Sequence, residues 1–255
     1  MNTINKLFGL TGKTALITGG SGSLGTGMTK TLLEAGAHVI VCSEDQQALE
    51  KTQKELSKVS DGKVFTLLLD VSKKEELQQL DKRLDEYPAV DILINAAGIN
   101  IRKSILDITL EDWDRVLNIN LRGTYFVSQT VAKRMIQQGS GKIINVASLT
   151  SAFGFVNMSP YGASKGGVSQ ITKSMANEWA EHIQVNAIAP GFFETELTRA
   201  VFEDPVRRKF MIDRIPQGRP GKPEDLYGII LFLSSPASDY VTGQTIYIDG
   251  GVTAS

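Results

Sequence analysis

Tyr161 and Lys165 lie four residues apart, and on an α-helix that spacing puts both side chains on one face. Taken alone, such a pair is usually a solvated face, but its surroundings give it chemistry. Ser148 follows a β-rich run ending at Ala147, at the carboxyl edge where open α/β sheets bind ligands. Read by itself it is an ordinary strand-to-loop serine. A free tyrosine, with a pKa of about 10, is ionised in only about one molecule in a thousand at neutral pH. An ammonium within about 6 Å favours the phenolate, and each pKa unit is worth about 1.4 kcal/mol. The three residues predict proton transfer: Tyr161 as general acid/base, Lys165 lowering its pKa, and Ser148 hydrogen-bonded to a substrate oxygen as charge develops.

A second constellation sits near the N-terminus. Thr18-Gly19-Gly20-Ser21-Gly22-Ser23-Leu24-Gly25 follows the first apolar run and opens the first helical pattern. Glycines there let a pyrophosphate approach the backbone, and a helix N-terminus adds partial positive charge. A flexible strand-to-helix turn is the plain alternative, but a loop in the first βα unit lies where such sheets bind nucleotides.

Elements with the right alternation can position these groups. Short β-rich runs over 14–18, 38–42, 64–70, 92–95, 142–147, 184–189 and 244–248 alternate with segments of helical period. Leu24, Met28 and Leu32 share one face, as do Leu77, Leu80 and Leu84. Longer helices are expected over 111–138 and 159–181, the second with Ser159 as cap and Pro160 in its first turn. Most of these runs are continuous rather than alternating in polarity, as burial on both faces explains. The pattern predicts one α/β domain over the whole chain: a Rossmann-type, doubly wound parallel sheet of about seven strands with helices on both faces. The irregular segment 192–223 is too long for a plain connection and is expected to be a substrate lid.

Composition excludes other classes. Of 255 residues, 42% are hydrophobic and 22% charged, enough for a full core and unlike a disordered chain. Lys and Arg number 27 against 28 Asp and Glu, a net charge of −1 that offers no general field for nucleic acid. A single cysteine, Cys42, rules out an internal disulfide and any Cys-rich metal site, so no metal is expected. No run is long enough to span a bilayer, and Lys6 before only Leu7-Phe8 makes no signal peptide. A cytoplasmic protein with a small-molecule substrate, and neither membrane nor nucleic acid as partner, is expected.

These motifs resemble the short-chain dehydrogenase/reductase family: Thr18-Gly19 with Gly25, Asn95-Ala96-Ala97-Gly98, Ser148, Tyr161-Gly162-Ala163-Ser164-Lys165 and Pro190-Gly191, in family order from about Leu10 to Gly251. The resemblance implies a nicotinamide-dependent oxidoreductase. It adds Asn120 as the asparagine anchoring a water relay from Lys165, and gives Lys165 a hold on the nicotinamide ribose. It implies a cofactor site of Gly19, Ser21, Ser23, Leu24, Gly25, Glu44, Asp70, Val71, Asn95, Ala96, Gly98, Tyr161, Lys165, Pro190, Gly191, Phe193 and Thr195. Within it Asp70 meets the adenine, Pro190, Gly191 and the backbone near Phe193 flank the nicotinamide, and Thr195 reaches its amide or phosphate. Two positions depart from the pattern. Ser23 stands where a glycine is usual, so its Cβ either crowds the cofactor or its hydroxyl donates to a phosphate; Ala96 replaces a common asparagine.

Glu44, just past the second strand, opposes a 2′-phosphate, and Ser21-Gly22-Ser23 carries no basic residue. NAD is therefore expected over NADP, although Glu44 and Asp45 also suit a helix N-terminus. The stretches 98–103, 175–180 and 213–216 are similar to gluconate 5-dehydrogenases and 2-deoxy-gluconate 3-dehydrogenases, which act on sugar acids. Arg102 then holds a carboxylate, with Ser148, Tyr161 and Asn157 completing the substrate site; a solvated loop arginine is the plainer reading. The main alternative is a 3-oxoacyl carrier-protein reductase docking an acidic protein on Lys133-Arg134 or Arg207-Arg208-Lys209, and a remote one is a dinucleotide-binding sensor without turnover. The resemblance also implies a homotetramer, for which Tyr125, Phe126 and Trp179 are candidate interface residues when not in the core.

Overall fold

Seven apolar runs become seven strands of one sheet: β1 (Thr14–Thr18), β2 (His38–Ser43), β3 (Val64–Leu68), β4 (Ile92–Asn95), β5 (Gly141–Val146), β6 (Ile183–Pro190) and β7 (Thr245–Ile248). The structure is a computed structural model and describes residues 3–195, 198 and 202–254. The strand order is β3-β2-β1-β4-β5-β6-β7, and every neighbouring pair is parallel. Chain direction across the sheet reverses between β1 and β4, so a crevice opens at the carboxyl ends of those two strands. The expected Rossmann-type architecture is what the chain adopts.

Among the described residues the main helices are α1 (Thr3–Phe8), α2 (Ser23–Glu34), α3 (Gln46–Leu56), α4 (Lys74–Arg83), α5 (Leu110–Leu117), α6 (Thr124–Gln138), α7 (Ser159–Trp179), α8 (Pro205–Ile212) and α9 (Tyr227–Ser234). Alternate strand residues face opposite layers. Leu16, Ile40, Leu93, Ile143 and Val185 pack with Leu80 of α4 and Val127 and Val131 of α6. Ile17, Val39, Val41 and Ile94 pack with Met28 and Leu32 of α2, Leu49 of α3 and Ile230 of α9. Each such leucine or isoleucine contributes about 1.5–3 kcal/mol by leaving water, which holds both helical layers on the sheet.

Three local features differ from expectation. β3 stops at Leu68 because Asp70 turns the chain, its Oδ1 accepting from the Ser72 N–H at 2.9 Å and the Ser72 hydroxyl at 2.7 Å. The helix expected over 111–138 is interrupted by a π-helical segment, Asn118–Gly123, which separates α5 from α6. Here Asn120 is fully buried and Gly123 lies so close to Val71 that a Cβ would sit 2.9 Å from its side chain. Such insertions accompany functional sites, since one extra residue per turn re-aims a side chain. Ser159 is the first helical residue of α7 rather than its cap: Met158 holds the cap position, with no side-chain cap bond, while Pro160 does occupy the first turn.

Candidate active site

α7 carries Tyr161 and Lys165 on one face and lays them against the end of β5. Lys165 is 4% exposed, and its Nζ donates a 2.6 Å hydrogen bond to the Val146 carbonyl. The same nitrogen lies 5.8 Å from the centroid of the Tyr161 ring. Two residues beyond Val146, Ser148 starts a short 3₁₀ turn, its Oγ accepting from the Thr150 N–H at 3.1 Å and hydrogen-bonding the Tyr161 side chain. Ser151 ties this turn back to α7 by donating to the Lys165 carbonyl at 2.8 Å.

The electrostatics of the site turn on burial. Burial pushes the Tyr161 phenol above its ordinary value, and the groups pulling it down are the Ser148 hydrogen bond and then the charge of Arg102. Lys165 is not among them. Burial also pushes its own amine down to about 8, because a desolvated ammonium loses its water. By contrast, burial pushes the Cys42 thiol up, so it stays protonated.

Asn120 closes the back of the site. Its Oδ1 accepts from the Ile99 N–H at 2.8 Å, and its Nδ2 donates to the Ile99 carbonyl at 2.9 Å and to Ser164 Oγ at 3.0 Å. The side chain thus clamps the loop after β4 onto α7, while the Thr124 hydroxyl occupies its main-chain carbonyl at 2.8 Å. A Cβ on Gly98 would lie 3.3 Å from Asn120 Oδ1 and 3.4 Å from Lys165 Nζ, so Gly98 borders both groups.

The glycine loop forms an anion cradle at the β1–α2 junction. Gly19 has φ +65°, and a Cβ on it would fall 2.8 Å from the Ala97 backbone; one on Gly25 would fall 2.1 Å from the Gly19 carbonyl oxygen. Gly22 holds the cap position of α2 without a side-chain bond, and the first intrahelical bond is Thr26 N–H to the Gly22 carbonyl. The N–H groups of Ser23, Leu24 and Gly25 therefore point out of the helix end as donors without helical partners. Ser23 is an ordinary first-turn residue and Ser21 lies just before the cap. These helix-end donors and the space only glycine leaves fit a pyrophosphate.

The other cofactor candidates divide. Ala96 and Ala97 pack on Thr18, whose carbonyl accepts from the Ala96 N–H at 3.1 Å and whose hydroxyl accepts from the Ala97 N–H at 3.3 Å. The Asn95 side chain is 2% exposed and donates inward to Ser128 Oγ and Asn145 Oδ1, which leaves its backbone as the part that borders the crevice. Its position as the last residue of β4, with a side chain on the α6 side, explains why. Asp70 is partly committed to Ser72, with Lys73 at 3.8 Å, and Val71 is buried against the π segment. Glu44 is exposed and makes no hydrogen bond or ion pair among the described residues, whereas Asp45 caps α3 through the Gln47 and Ala48 N–H groups. Pro190 ends β6. Gly191 meets the Asp249 backbone, where a Cβ would be 2.7 Å from the Asp249 Cα. Phe193 is buried and bridges to Gly221, and the Thr195 hydroxyl lies 3.1 Å from that of Thr198.

Around the mouth, Arg102 is exposed and has no hydrogen bond or ion pair among the described residues, yet its charge acts on Tyr161. Its neighbour Lys103 is committed to Asp112 at 2.5 Å. Asn157 is exposed in a left-handed conformation, φ 63°, two residues before α7. Phe155 and Phe192 meet edge to face with centroids 5.9 Å apart, linking the loop after Ser148 to the 192–223 segment. A cavity of about 410 Å³ lies at the ends of β6 and β7, lined by Phe192, Phe193, Gln217, Arg219 and Asp249 among others. Within the expected lid, residues 196, 197 and 199–201 lie outside the described residues. Sequence reasoning missed Ser151, Ser164 and Thr18 as groups holding the site together; each is a small hydroxyl residue without a spacing signal of its own.

A glycine-lined cradle at the switch point, beside a clustered Tyr161, Lys165 and Ser148, fits a dinucleotide-dependent oxidoreductase. The chain belongs to the short-chain dehydrogenase/reductase family, NAD(P)-dependent enzymes acting on CH–OH groups; the matching family model, described as enoyl-(acyl carrier protein) reductase, covers residues 19–253. It is 42% identical to a 2-dehydro-3-deoxy-D-gluconate 5-dehydrogenase of Bacillus subtilis over 98% of both chains. It is 40% identical to a 3-oxoacyl-(acyl-carrier-protein) reductase of Thermotoga maritima over 95% of this chain and 98% of that one. Among solved structures, a gluconate 5-dehydrogenase of Burkholderia cenocepacia in complex with NADP and tartrate is similar with a TM-score of 0.94 and 36% identity, over 98% of each chain. Among the described residues no helix is long and apolar enough to cross a membrane.

Proposed function

We propose that the protein interconverts a secondary alcohol and a ketone on a sugar acid of the gluconate type, with NAD preferred over NADP. The observation that carries this reading is the Arg102 guanidinium, without a hydrogen bond or ion pair among the described residues, acting on the same phenol that Ser148 hydrogen-bonds. One group holds a carboxylate while the other two handle the hydroxyl or carbonyl oxygen. Asn157 adds a polar contact at the mouth, and the segment 192–223 closes over the substrate as a lid on the single catalytic domain.

NAD(P) bound at the crevice supplies the hydride acceptor or donor. The N–H groups at Gly19, Ser21, Ser23, Leu24 and Gly25 hold the pyrophosphate, and Asp70 and Val71 border the adenine. Ala96 and Gly98 form the floor, Lys165 holds the nicotinamide ribose, and Pro190, Gly191, Phe193 and Thr195 flank the nicotinamide. In the alcohol-oxidising direction Tyr161 takes the hydroxyl proton and Ser148 donates to the developing carbonyl oxygen. Lys165 passes the proton onward past Asn120; ketone reduction reverses each step. Glu44, exposed beyond β2 and unpaired among the described residues, accepts ribose hydroxyls and repels a 2′-phosphate. Similarity to the Bacillus subtilis and Burkholderia cenocepacia enzymes supports the sugar-acid reading.

The carrier-protein reductase relative supports a second reading, reduction of a 3-oxoacyl thioester. A single assay separates the two. Absorbance of NADH or NADPH is followed with purified protein against aldonic acids, polyols, keto acids and a 3-oxoacyl thioester. Turnover of an aldonic or keto acid with NAD(H), and little of the thioester, is expected. Good thioester turnover with none of the acids would overturn the proposal.

A further inference from the structure

Beneath the crevice four polar side chains are sealed from solvent: Asn145, Ser128 and Thr172 at 0% exposure and Asn95 at 2%. Asn95 Nδ2 donates to Asn145 Oδ1 at 2.9 Å and to Ser128 Oγ at 2.8 Å. Asn145 Nδ2 donates to Thr172 Oγ1 at 2.9 Å, and the Thr172 hydroxyl donates to the Val168 carbonyl at 2.8 Å. The chain thus runs from β4 through β5 into α7, with a branch to α6.

Its ends fall where the chemistry is carried. Thr172 lies seven residues beyond Lys165 and eleven beyond Tyr161, spacings that put all three on one face of α7. Asn145 immediately precedes Val146, whose carbonyl receives Lys165 Nζ, and Ser148 follows three residues on. Asn95 begins the stretch through Gly98 and Ile99 that Asn120 clamps. Apolar packing between a helix and a sheet tolerates small slides and rotations, because dispersion contacts are many and non-directional. A buried hydrogen bond to a side-chain acceptor does not, because moving the helix leaves a donor unsatisfied where water cannot reach it.

We propose that Asn145 and Thr172 are positioning residues for the reaction: their buried hydrogen bond fixes the rotation and height of α7 on β5, and so the approach of Lys165 to Val146 and of Tyr161 to Ser148. This rests on the reading of Tyr161 and Lys165 as the proton-transfer pair. Neither residue touches substrate; they act through the helix. Ser128 shares the chain but sits on α6, away from that helix, which makes it the structural comparison.

The experiment compares Thr172→Val, Thr172→Ser and Ser128→Ala in the full-length enzyme, reading kcat, KM for both substrates, the pH profile of kcat and melting temperature. Thr172→Val keeps the volume and removes the acceptor; kcat is expected to fall about 10- to 100-fold, as a sub-ångström to one-ångström misplacement does, with KM for the dinucleotide little changed. The alkaline-rising limb of the oxidation profile is expected at higher pH, because Tyr161 loses part of its Ser148 contact. Thr172→Ser, which keeps the hydroxyl, restores kcat and profile, and Ser128→Ala lowers the melting temperature with kcat retained. Wild-type kcat in Thr172→Val, or equal kcat losses in Thr172→Val and Ser128→Ala, would overturn the inference. Should Thr172→Val not fold, Thr172→Cys, with a weak sulfur acceptor, carries the same expectations. An active Tyr161→Phe enzyme would sink the underlying reading instead, whereas an inactive one beside a fully active Thr172→Val sinks only the positioning role.

Discussion

Lys165 Nζ hangs from the Val146 carbonyl at 2.6 Å and stands 5.8 Å from the Tyr161 ring centroid, so one buried amine ties α7 to the end of β5 beside the tyrosine. Burial brings that amine down to about 8, from an ordinary 10.5. Both folded and unfolded chains hold the proton below about pH 8, and the folded state then carries a buried ammonium. Between about 8 and 10.5 the unfolded chain alone binds the proton, so this group's contribution to stability rises with pH through that window.

Replacing Lys165 with methionine therefore stabilises the cofactor-free protein at pH 7 while destroying activity. The relieved penalty is on the order of 3 kcal/mol at about 1.4 kcal/mol per unit, less about 1 kcal/mol for the lost hydrogen bond. Thermal melting of both proteins at pH 7 and pH 10 checks it: the variant melts higher at pH 7, and the gap closes as pH rises. A lower melting temperature at pH 7 would show that the Val146 bond outweighs desolvation.

The charge of Arg102 and the Ser148 hydrogen bond both pull the Tyr161 phenol down against burial. Removing either raises it further. For alcohol oxidation, which needs Tyr161 as base, the rising limb of kcat/KM against pH moves to higher pH in Arg102→Ala. With an aldonic acid Arg102→Ala also loses about 1.5–3 kcal/mol in kcat/KM, and much less with the uncharged polyol. Equal losses on acid and polyol, with an unmoved limb, would make Arg102 a loop charge.

Much of this was legible in the residues. β-rich runs located all seven strands, most plainly the inner ones that are buried on both faces, and glycines at 19 and 25 located the cradle because no Cβ fits there. The π segment was not legible: apolar period continues from α5 into α6, and the break depends on Asn120 reaching Ile99, a contact 21 residues away in sequence. The inward bonds of the Asn95 side chain were not legible either, because a motif gives residue type and order but not which face of a strand a side chain takes. Trp179, a candidate for core or subunit interface, is half-buried against the core, a matter of helix phase that spacing alone does not fix.

Glu44 is exposed and unpaired beyond β2, facing no protein cation among the described residues. Glu44→Arg is expected to move the ratio of kcat/KM for NAD over NADP by tenfold or more toward NADP, as a carboxylate gives way to a phosphate partner. A wild-type preference for NADP would mean Glu44 points away from the ribose.

The outer faces of α5 and α6 expose Leu110, Trp113, Tyr125 and Phe126, with Leu106 just before α5 at 93% exposure. A patch of this kind is expected to be covered by other copies of the chain in a homotetramer. Light scattering at working concentration is expected to return four times 27.7 kDa, and Phe126→Glu to shift it to smaller species. A monomeric mass for the unaltered protein would reject the assembly.

The most direct measurement is made on Tyr161→Phe, which removes one hydroxyl and almost no volume from the site. Turnover of the best sugar-acid substrate is followed beside NADH binding by fluorescence titration. Turnover at least a thousandfold lower, with the dissociation constant for NADH within a few-fold of the unaltered enzyme, is the result expected of a general acid/base that does not hold the cofactor by its hydroxyl. Substantial turnover in Tyr161→Phe would contradict the proton-transfer role on which the account stands.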